Sequence, residues 1–266
     1  MIRLVYGLLL LMILVGLFVY LNDESGDLEV TRHRFGKTAA SAVTWRIAQV
    51  SDLHIRGGAE IEARVIGLIN QEKPDLVVLT GDQLSHRDKL PELGKFLDKL
   101  DNHAKKIAIL GNWEYWTGLD KVELRRFHAQ HGVTLLVNGA LVVEKERQSL
   151  LVVGLDDARL GHPNWERALA EHPTWPGSML ILAHNPDTIA MVPAREKVVT
   201  DRVMLSGHTH GGQIVLFPFL NRNHPCLAGW CRDQGMPMYI SRGVGMSVIP
   251  LRFGARPELP FFEWRL

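Results

Sequence analysis

Short apolar runs alternate with polar loops in this chain, and the interval between apolar positions differs from segment to segment. Residues 45–50, 75–80 and 106–110 are mainly apolar runs with the length and pattern of buried strands. After the first run, apolar residues recur at helical spacing until Pro74 ends the pattern, and a second helix is predicted at about residues 89–102. The first half therefore predicts a strand and helix repeat, which is typical of a mainly parallel α/β sheet.

The second half predicts a different way of connecting strands. Three apolar segments with short connections predict a meander, which indicates a second sheet. Two further strands run into polar loops, and two more close the chain. The segment 217–237 carries Pro, Gly and Asn and predicts an irregular surface loop. The strands predicted in this half are 134–137, 141–144, 150–153, 179–182, 203–205, 238–241 and 260–266.

The amino terminus is the most apolar part of the chain. Residues 4–21, LVYGLLLLMILVGLFVYL, carry no charge, and their number is close to the roughly 20 residues that cross a bilayer as a helix. A cleaved signal peptide is the alternative, but its apolar run is usually about 7 to 15 residues long and ends at a small-x-small site. We therefore predict a transmembrane anchor at 1–22, a polar linker at 23–43 and one domain at 44–266. Only Arg3 precedes the run, and so short a head favours export of the rest of the chain.

Composition and charge narrow the class of partner. The chain has 266 residues, of which 46% are hydrophobic, so it can bury a sizeable core. Its 30 basic and 29 acidic residues give a formal charge of +1, so we expect no nucleic-acid partner. Cys226 and Cys231 are close enough in sequence to form a disulfide in an oxidising compartment, while half of a zinc site and two free thiols are the alternatives.

Side chains that can bind metals follow five of the predicted strands. The carboxyl ends of parallel strands meet at one edge of a sheet, so these side chains can converge in space. Gly81, Gly111 and Gly207 each directly precede one of them and allow the backbone to turn tightly. The candidate ligands are Asp52, His54, Asp82, Asn112, His184, His208 and His210.

Carboxylate, imidazole and amide ligands together suit a divalent ion such as Mn, Fe or Zn. Each short motif has an ordinary alternative when it stands alone: D-x-H is common, G-D is a turn signal, and His184 fits a hydrogen-bonded core histidine. The order of all five motifs at strand ends favours a metal site. Five further histidines lack such a context and are predicted to lie on the surface: His33, His103, His128, His131 and His172.

The motifs D-x-H, G-D, G-N, H and G-H-x-H resemble the signature of the calcineurin-like metallophosphoesterases, and the resemblance covers residues 46–266. It implies a four-layer α/β/β/α sandwich with two divalent metal ions at one edge and Asp82 between them. It also implies hydrolysis of a phosphate ester or anhydride by a metal-activated hydroxide. The implied ligands are Asp52, His54 and His210 for one ion, and Asn112, His184 and His208 for the other.

Other stretches indicate one branch of that family. The segments AHNPD, GHTHGGQI, YISRGVG and PLRFGARPELPFFEWRL are similar to the membrane-associated bacterial branch. That branch contains YaeI- and YkuE-type phosphodiesterases and enzymes that cleave UDP-2,3-diacylglucosamine. Together with the predicted anchor, the resemblance implies an inner-membrane phosphodiesterase or pyrophosphatase that acts on a phosphorylated small molecule or lipid. Its catalytic domain is expected on the periplasmic side, with the cytoplasmic face as the alternative.

One position departs from the family pattern, which reads G-N-H-D/E where this chain has GNWE. The family's histidine assists the leaving group, whereas the indole of Trp113 donates a hydrogen bond but is no general acid near neutral pH. Either the substrate has a good leaving group, or another donor replaces the histidine. The candidate donor is His86, whose alternative is an exposed loop histidine.

The neighbouring residues carry further expectations. Glu114 is predicted to orient a metal-ligating histidine. Trp113 and Trp116 are predicted to pack together, with an aromatic platform for an acyl chain or base as the alternative. The contrasting functional hypothesis is a non-catalytic member that binds metal or phospholipid and lost turnover through the change at Trp113.

Overall fold

Two β-sheets form the centre of the protein. The computed structural model describes residues 6–7, 10–12, 15–16, 24–38, 42–57, 60–215 and 226–266. Within these ranges the strands are β1 (Glu29–Gly36), β2 (Thr44–Val50), β3 (Leu76–Thr80), β4 (Lys105–Ile109), β5 (Val133–Leu135), β6 (Gly139–Lys145), β7 (Gln148–Gly154), β8 (Ser178–Leu182), β9 (Arg202–Ser206), β10 (Gly229–Asp233), β11 (Met236–Ile240) and β12 (Glu258–Arg265).

Each described sheet has six strands and is mixed. The first has the order β1-β12-β2-β3-β4-β5, and the second has the order β10-β11-β9-β8-β7-β6. Parallel pairing runs through β2, β3, β4 and β5 in the first sheet and through β7, β8, β9 and β11 in the second. The parallel α/β architecture that the sequence predicted is therefore confirmed.

Helices cover the outer face of each sheet. Apolar side chains along β3 alternate: Val77 and Leu79 pack toward the helices, while Leu76 and Val78 pack toward the second sheet. A third apolar cluster lies on the far side of the second sheet. The layers are thus helix, sheet, sheet and helix. The helices are α1 (Glu60–Glu72), α2 (Leu90–Lys99), α3 (Asn112–Trp116), α4 (Lys121–Gln130), α5 (Trp165–Ala168) and α6 (Ala194–Lys197), with 3₁₀ turns at Arg87–Lys89, Pro186–Met191 and His210–Gly212.

The predicted meander is wrong in its first strand. β5 pairs in parallel with β4 and belongs to the first sheet, whereas β6 and β7 form an antiparallel pair in the second. The reason is α4, a polar helix that the sequence pattern did not predict and that carries the chain across to a parallel position. Its buried face is narrow, with Leu124 and His128 as its buried residues.

The predicted linker at 23–43 also contains structure. β1 pairs in parallel with β12 over its whole length, and along it exposed Arg32 and Arg34 alternate with partly buried His33 and Phe35. The predicted anchor at 1–22 lies mostly outside the described residues. Among the helices that are described, none is long and apolar enough to cross a membrane.

The predicted irregular loop at 217–237 is only partly irregular. Its last third forms β10 and the start of β11, which pair in antiparallel register, while residues 216–225 lie outside the described ranges. A disulfide joins Cys226 to Cys231, whose Cα atoms are 6.3 Å apart. Of the three alternatives that the sequence left open for these cysteines, the structure has the disulfide.

Candidate metal centre

The seven predicted ligands all follow strands and lie at the carboxyl-terminal edge of the two sheets. His54 and Asp82 are on neighbouring loops, since the backbone N–H of His54 donates to the Asp82 carbonyl over 2.9 Å. The two sheets meet here as well, because the His208 N–H donates to both carboxylate oxygens of Asp52, each over 3.1 Å. The strand ends that supply the ligands are β2 for Asp52 and His54, β3 for Asp82, β4 for Asn112, β8 for His184, and β9 for His208 and His210.

Two groups of three side chains each lie close enough together to hold a metal ion. Within each group, the ligand atoms are all within 4.8 Å of one another. The groups adjoin, because Oδ2 of Asp82 is 3.2 Å from Nε2 of His184 and 3.7 Å from Nε2 of His54. Asp82 therefore lies between the groups. They consist of Asp52, His54 and His210, and of Asp82, His184 and His208.

The backbone is strained at most of these ligands. Asp52, Asp82 and His208 have φ angles of 50°, 51° and 70°, and His54 and His210 are also left-handed. Such conformations cost of order 1–3 kcal/mol each and persist where the surroundings enforce them. Gly111 has an ordinary φ of −106°, but a side chain there would collide with Asp82. The sequence predicted that Gly111 allows a tight turn, but what the structure requires of it is space for Asp82.

Asn112 is buried, and its Oδ1 atom has no hydrogen-bond partner in the described part of the chain. A buried amide oxygen without a partner costs about 1–3 kcal/mol. An oxygen ligand for a divalent cation is the chemistry that such an atom satisfies. Together with the two three-residue groups of carboxylates and imidazoles, this amide oxygen gives a set of ligand atoms that fits a pair of divalent ions.

Glu114 holds the loop that carries Asp82. Its buried carboxylate accepts hydrogen bonds from four backbone N–H groups, those of Asp82 (3.0 Å), Gln83 (2.6 Å), Leu84 (3.1 Å) and Gly111 (2.7 Å). Burial, and next the charge of Asp82, raise the pKa of Glu114 to about 7, while the N–H donors oppose that rise. Glu114 was predicted to orient a metal-ligating histidine. Its hydrogen bonds instead orient the backbone of the Asp82 loop and of Gly111.

A strong electrostatic pair lies at the centre of the site. Burial lowers the pKa of His184, but the charge and hydrogen bond of Asp82 outweigh it and raise that pKa to about 10. Burial raises the pKa of Asp82, and His184 in turn lowers it to about 2. His184 Nδ1 lies 2.9 Å from the Thr80 carbonyl, to which it donates. That bond fixes the ring so that Nε2 faces the other ligands.

Trp113 and Trp116 form an edge-to-face pair with centroids 4.9 Å apart, as predicted for packing. Trp113 also meets the His54 ring edge to face at 5.3 Å, and its backbone N–H donates to Asp82 over 2.9 Å. Trp116 is 59% exposed, so an aromatic surface reaches from the metal centre to solvent. His86 is exposed before the turn at Arg87–Lys89 and belongs to neither ligand group.

Sequence reasoning missed the loop that follows β7. Nη1 of Arg159 lies 3.3 Å from Nε2 of His208 on the exposed side of the centre. Asp157 holds this loop by accepting from the backbone N–H groups of Arg159 (2.8 Å) and Leu160 (2.7 Å). Asp156 accepts from Lys121 over 2.7 Å and from Tyr115. The available signal was the same as elsewhere: polar residues, here LDDAR, directly after a buried strand.

One of the histidines predicted to lie on the surface is buried. His128 is fully buried on α4, with Nδ1 2.7 Å from the Leu124 carbonyl and Nε2 3.0 Å from Oε1 of Gln83. Gln83 follows Asp82 directly, so His128 supports the ligand loop from behind. His33 is half-buried among Trp230, Tyr239 and Phe262.

The chain is similar to known proteins in sequence and in fold. The calcineurin-like phosphoesterase family matches residues 46–212. The metallophosphoesterase YkuE of Bacillus subtilis is 33% identical over 230 residues, which is 82% of this chain and 78% of that protein. Phosphodiesterase YaeI of Escherichia coli is 30% identical over 255 residues, 90% of this chain and 89% of its own length.

A solved structure shows the same fold at low identity. GAP50, the anchor in the inner membrane complex of Plasmodium, is 10% identical and superposes with a TM-score of 0.51 over 82% of this chain and 79% of that one. At this identity the likeness concerns the fold alone. The family match covers most of the domain and includes every predicted metal ligand. The chain therefore belongs to the calcineurin-like phosphoesterase family, and it is a metal-dependent phosphoester hydrolase.

Proposed function

We propose that this chain is a membrane-anchored hydrolase with two divalent ions, Mn, Fe or Zn, that cleaves a phosphodiester or pyrophosphate bond at or near the bilayer. The observation that carries the hydrolytic part is the pair of adjoining three-ligand groups with Asp82 between them. The unpartnered Asn112 oxygen supports a second ion. When bound, such ions attract a phosphate and lower the pKa of water.

Side chains and backbone groups of this protein position the metal ligands and the substrate phosphate. Glu114 holds the Asp82 loop, and the Thr80 carbonyl directs His184 toward the centre. Arg159 is exposed beside His208 and supplies a guanidinium that can pair with a phosphate oxygen on the open side. These contacts preorganise the site before substrate arrives.

The leaving group is inferred from Trp113. An indole does not protonate a departing alkoxide, and His86 belongs to neither ligand group among the described residues. A substrate whose leaving group is already stable as an anion needs no such proton. A nucleotide phosphate in a pyrophosphate, as in a UDP-diacylglucosamine, has this property.

The membrane part rests on the sequence of residues 4–21. We place the domain on the exported, periplasmic side, and the Cys226–Cys231 disulfide supports this because disulfides persist in oxidising compartments. A reporter fused to the carboxyl terminus tests the orientation: activity of a reporter that works only in the cytoplasm would contradict it.

The hydrolytic proposal is tested with the full chain in detergent micelles, loaded in turn with Mn, Fe and Zn. We expect hydrolysis of bis(p-nitrophenyl) phosphate, and a loss of at least about 100-fold in Asp82→Asn, because mutating even the groups behind metal ligands costs 10–100-fold. Asp98→Asn is the matched control, since Asp98 is exposed on α2 and pairs with His131. Equal losses in both variants would contradict the assignment of Asp82.

The same experiment separates the non-catalytic alternative. Metal analysis of the purified chain counts bound ions independently of turnover. Two bound ions with no hydrolysis under any of the three metals would favour a binding protein that lost turnover at Trp113. Bound ions together with hydrolysis sensitive to Asp82→Asn support the enzyme.

A further inference from the structure

An apolar rim stands beside the metal centre, formed by Ile214, Val248, Ile249 and Leu251. Val248 is 79% exposed, Ile249 47% and Ile214 38%, and Leu251 is partly exposed. Singly exposed apolar residues are common, but several that adjoin mark an interaction surface. The question is what covers this rim.

The rim is held in place by polar contacts with its backbone. Nε2 of Gln213 donates to the carbonyls of Ile249 (2.6 Å) and Leu251 (3.2 Å), and Oε1 of Gln213 accepts from the Ser247 hydroxyl over 3.1 Å. Nη2 of Arg56 donates to the Ser247 carbonyl over 3.3 Å. These bonds fix the loop through its backbone and leave its apolar side chains exposed to solvent.

The chain enters the domain next to this rim. The hydroxyl of Ser25 accepts from the Arg252 N–H over 2.7 Å, and Oε1 of Glu24 accepts from the Gly254 N–H over 2.7 Å. Glu24 and Ser25 are buried. The uncharged run ends at Leu21, and three residues span at most about 11 Å. A bilayer that holds residues 4–21 therefore lies within a short reach of the rim.

The rim is also continuous with the metal centre. The Gly245 N–H donates to the Asp52 carbonyl over 2.7 Å, and the Val244 N–H donates to the Ser51 carbonyl over 2.9 Å. On its other side the rim is tied to Gln213, three residues after His210. Any surface that covers the rim is thus brought to the edge where the ligands lie.

We propose that the apolar rim rests on the bilayer that holds residues 4–21, so that the metal centre faces the lipid headgroups. The inference depends on the anchor of the proposed function and adds the orientation of the domain. The phosphate of a membrane lipid, rather than that of a soluble ester, is the group that this orientation brings to the site. Insertion of the two most exposed residues, Val248 and Ile249, is typical of interfacial contact.

The experiment compares two valines of similar exposure. Val248 and Val198 are 79% and 72% exposed, but Val198 precedes β9 and so lies toward the opposite edge of the sheets from the ligands. Val248→Cys and Val198→Cys are labelled with a thiol-reactive fluorophore in the full chain, where Cys226 and Cys231 are disulfide-bonded. The chain is reconstituted in vesicles of phosphatidylethanolamine and phosphatidylglycerol that contain a lipid with a shallow nitroxide.

We expect the nitroxide lipid to quench the label at position 248 several-fold more than the label at 198, and aqueous iodide to show the reverse. Equal quenching by lipid at both positions overturns the proposal, and so does a chain that does not sediment with vesicles. A label at 248 that neither lipid nor iodide reaches also overturns it, because a second protein surface then covers the rim.

Hydrolysis of bis(p-nitrophenyl) phosphate by both labelled variants is measured in parallel. Active variants with equal lipid quenching show that the orientation is wrong while the hydrolytic function stands. Selective quenching at 248 without hydrolysis by the parent chain shows that the orientation is right while the hydrolytic function is wrong.

Discussion

The two sheets contribute to the metal centre in different ways. On the side of the first sheet, Glu114 is buried and binds four backbone N–H groups around Asp82. On the side of the second sheet, His208 is partly exposed, and the Thr209 hydroxyl donates to the Leu227 carbonyl over 2.6 Å. The exposed Arg159 lies on this second side.

The comparison indicates that the first side keeps the ligand loop rigid and that the second side gives substrate access to the metal centre. A buried carboxylate with four donors cannot move without leaving backbone groups unpaired, so the first side is held before metal or substrate binds. On the second side His208 is partly exposed and Arg159 is exposed, which is the arrangement expected where substrate enters. Apart from the ligands themselves, we expect substitution of Glu114 on the first side to change metal binding and substitution of Thr209 on the second to change substrate binding.

Among substitutions of residues that support the ligands, the largest effect is expected for Glu114→Gln. The new amide places an NH₂ group against backbone donors, so the Asp82 loop loses part of its support. We expect metal affinity to fall about 10–100-fold and the free energy of unfolding to fall by about 3 kcal/mol. Metal titration and thermal unfolding measure the two. Glu123→Gln is the control, because Glu123 is an exposed capping residue of α4; if it matches Glu114→Gln, the loop has no special role.

Metal binding is expected to release about one proton. Asp82 raises the pKa of His184 to about 10 in the metal-free chain, so His184 is protonated at neutral pH. A metal ion must therefore displace the proton on Nε2 before this nitrogen can bind the ion. Apparent affinity should therefore rise about tenfold per pH unit between pH 6 and 9. Calorimetry in buffers of different ionisation enthalpy counts the proton. Binding enthalpy that is the same in all buffers would show that His184 is already neutral.

Thr209→Val is expected to have a smaller effect, confined to the second side. It removes the bond to Leu227 and a weaker one from the Gly211 N–H, which costs about 1 kcal/mol of stability. KM should rise while metal content is unchanged. Thr188→Val is the matched control, since the buried Thr188 hydroxyl has no partner within the described ranges. A loss of metal from Thr209→Val would remove the distinction between the sides.

The smallest effect is expected for His86→Ala. The side chain is exposed and outside both ligand groups, so turnover of bis(p-nitrophenyl) phosphate should stay the same. The sharper substrate is a diester with an alkoxide leaving group, which needs a proton. A loss of about 100-fold or more with that substrate alone would identify His86 as the donor that replaces the family's histidine.

Much of the centre was predictable because local patterns encode it. A buried strand followed by Asp, His or Asn is visible in the sequence, and parallel strands bring such ends to one edge. Arg159 also lies in a polar segment, LDDAR, that directly follows a buried strand. It was missed because this segment is not one of the family's motifs. The roles of Glu114 and His128 were not predictable, since Glu114 binds the Asp82 backbone 32 residues away and His128 binds the Gln83 side chain 45 residues away.

The sequence by itself determined the parallel strands, the ligand-bearing loops and the family. Hydrophobic period and glycine position are local properties, and they decide which residues are buried and where the chain turns. Only the tertiary structure decided that β1 joins the first sheet, that β5 lies beside β4, and that Glu114 supports Asp82. Strand pairing and the burial of a charge depend on contacts between distant residues, and no local pattern specifies which distant partner a polar segment will meet.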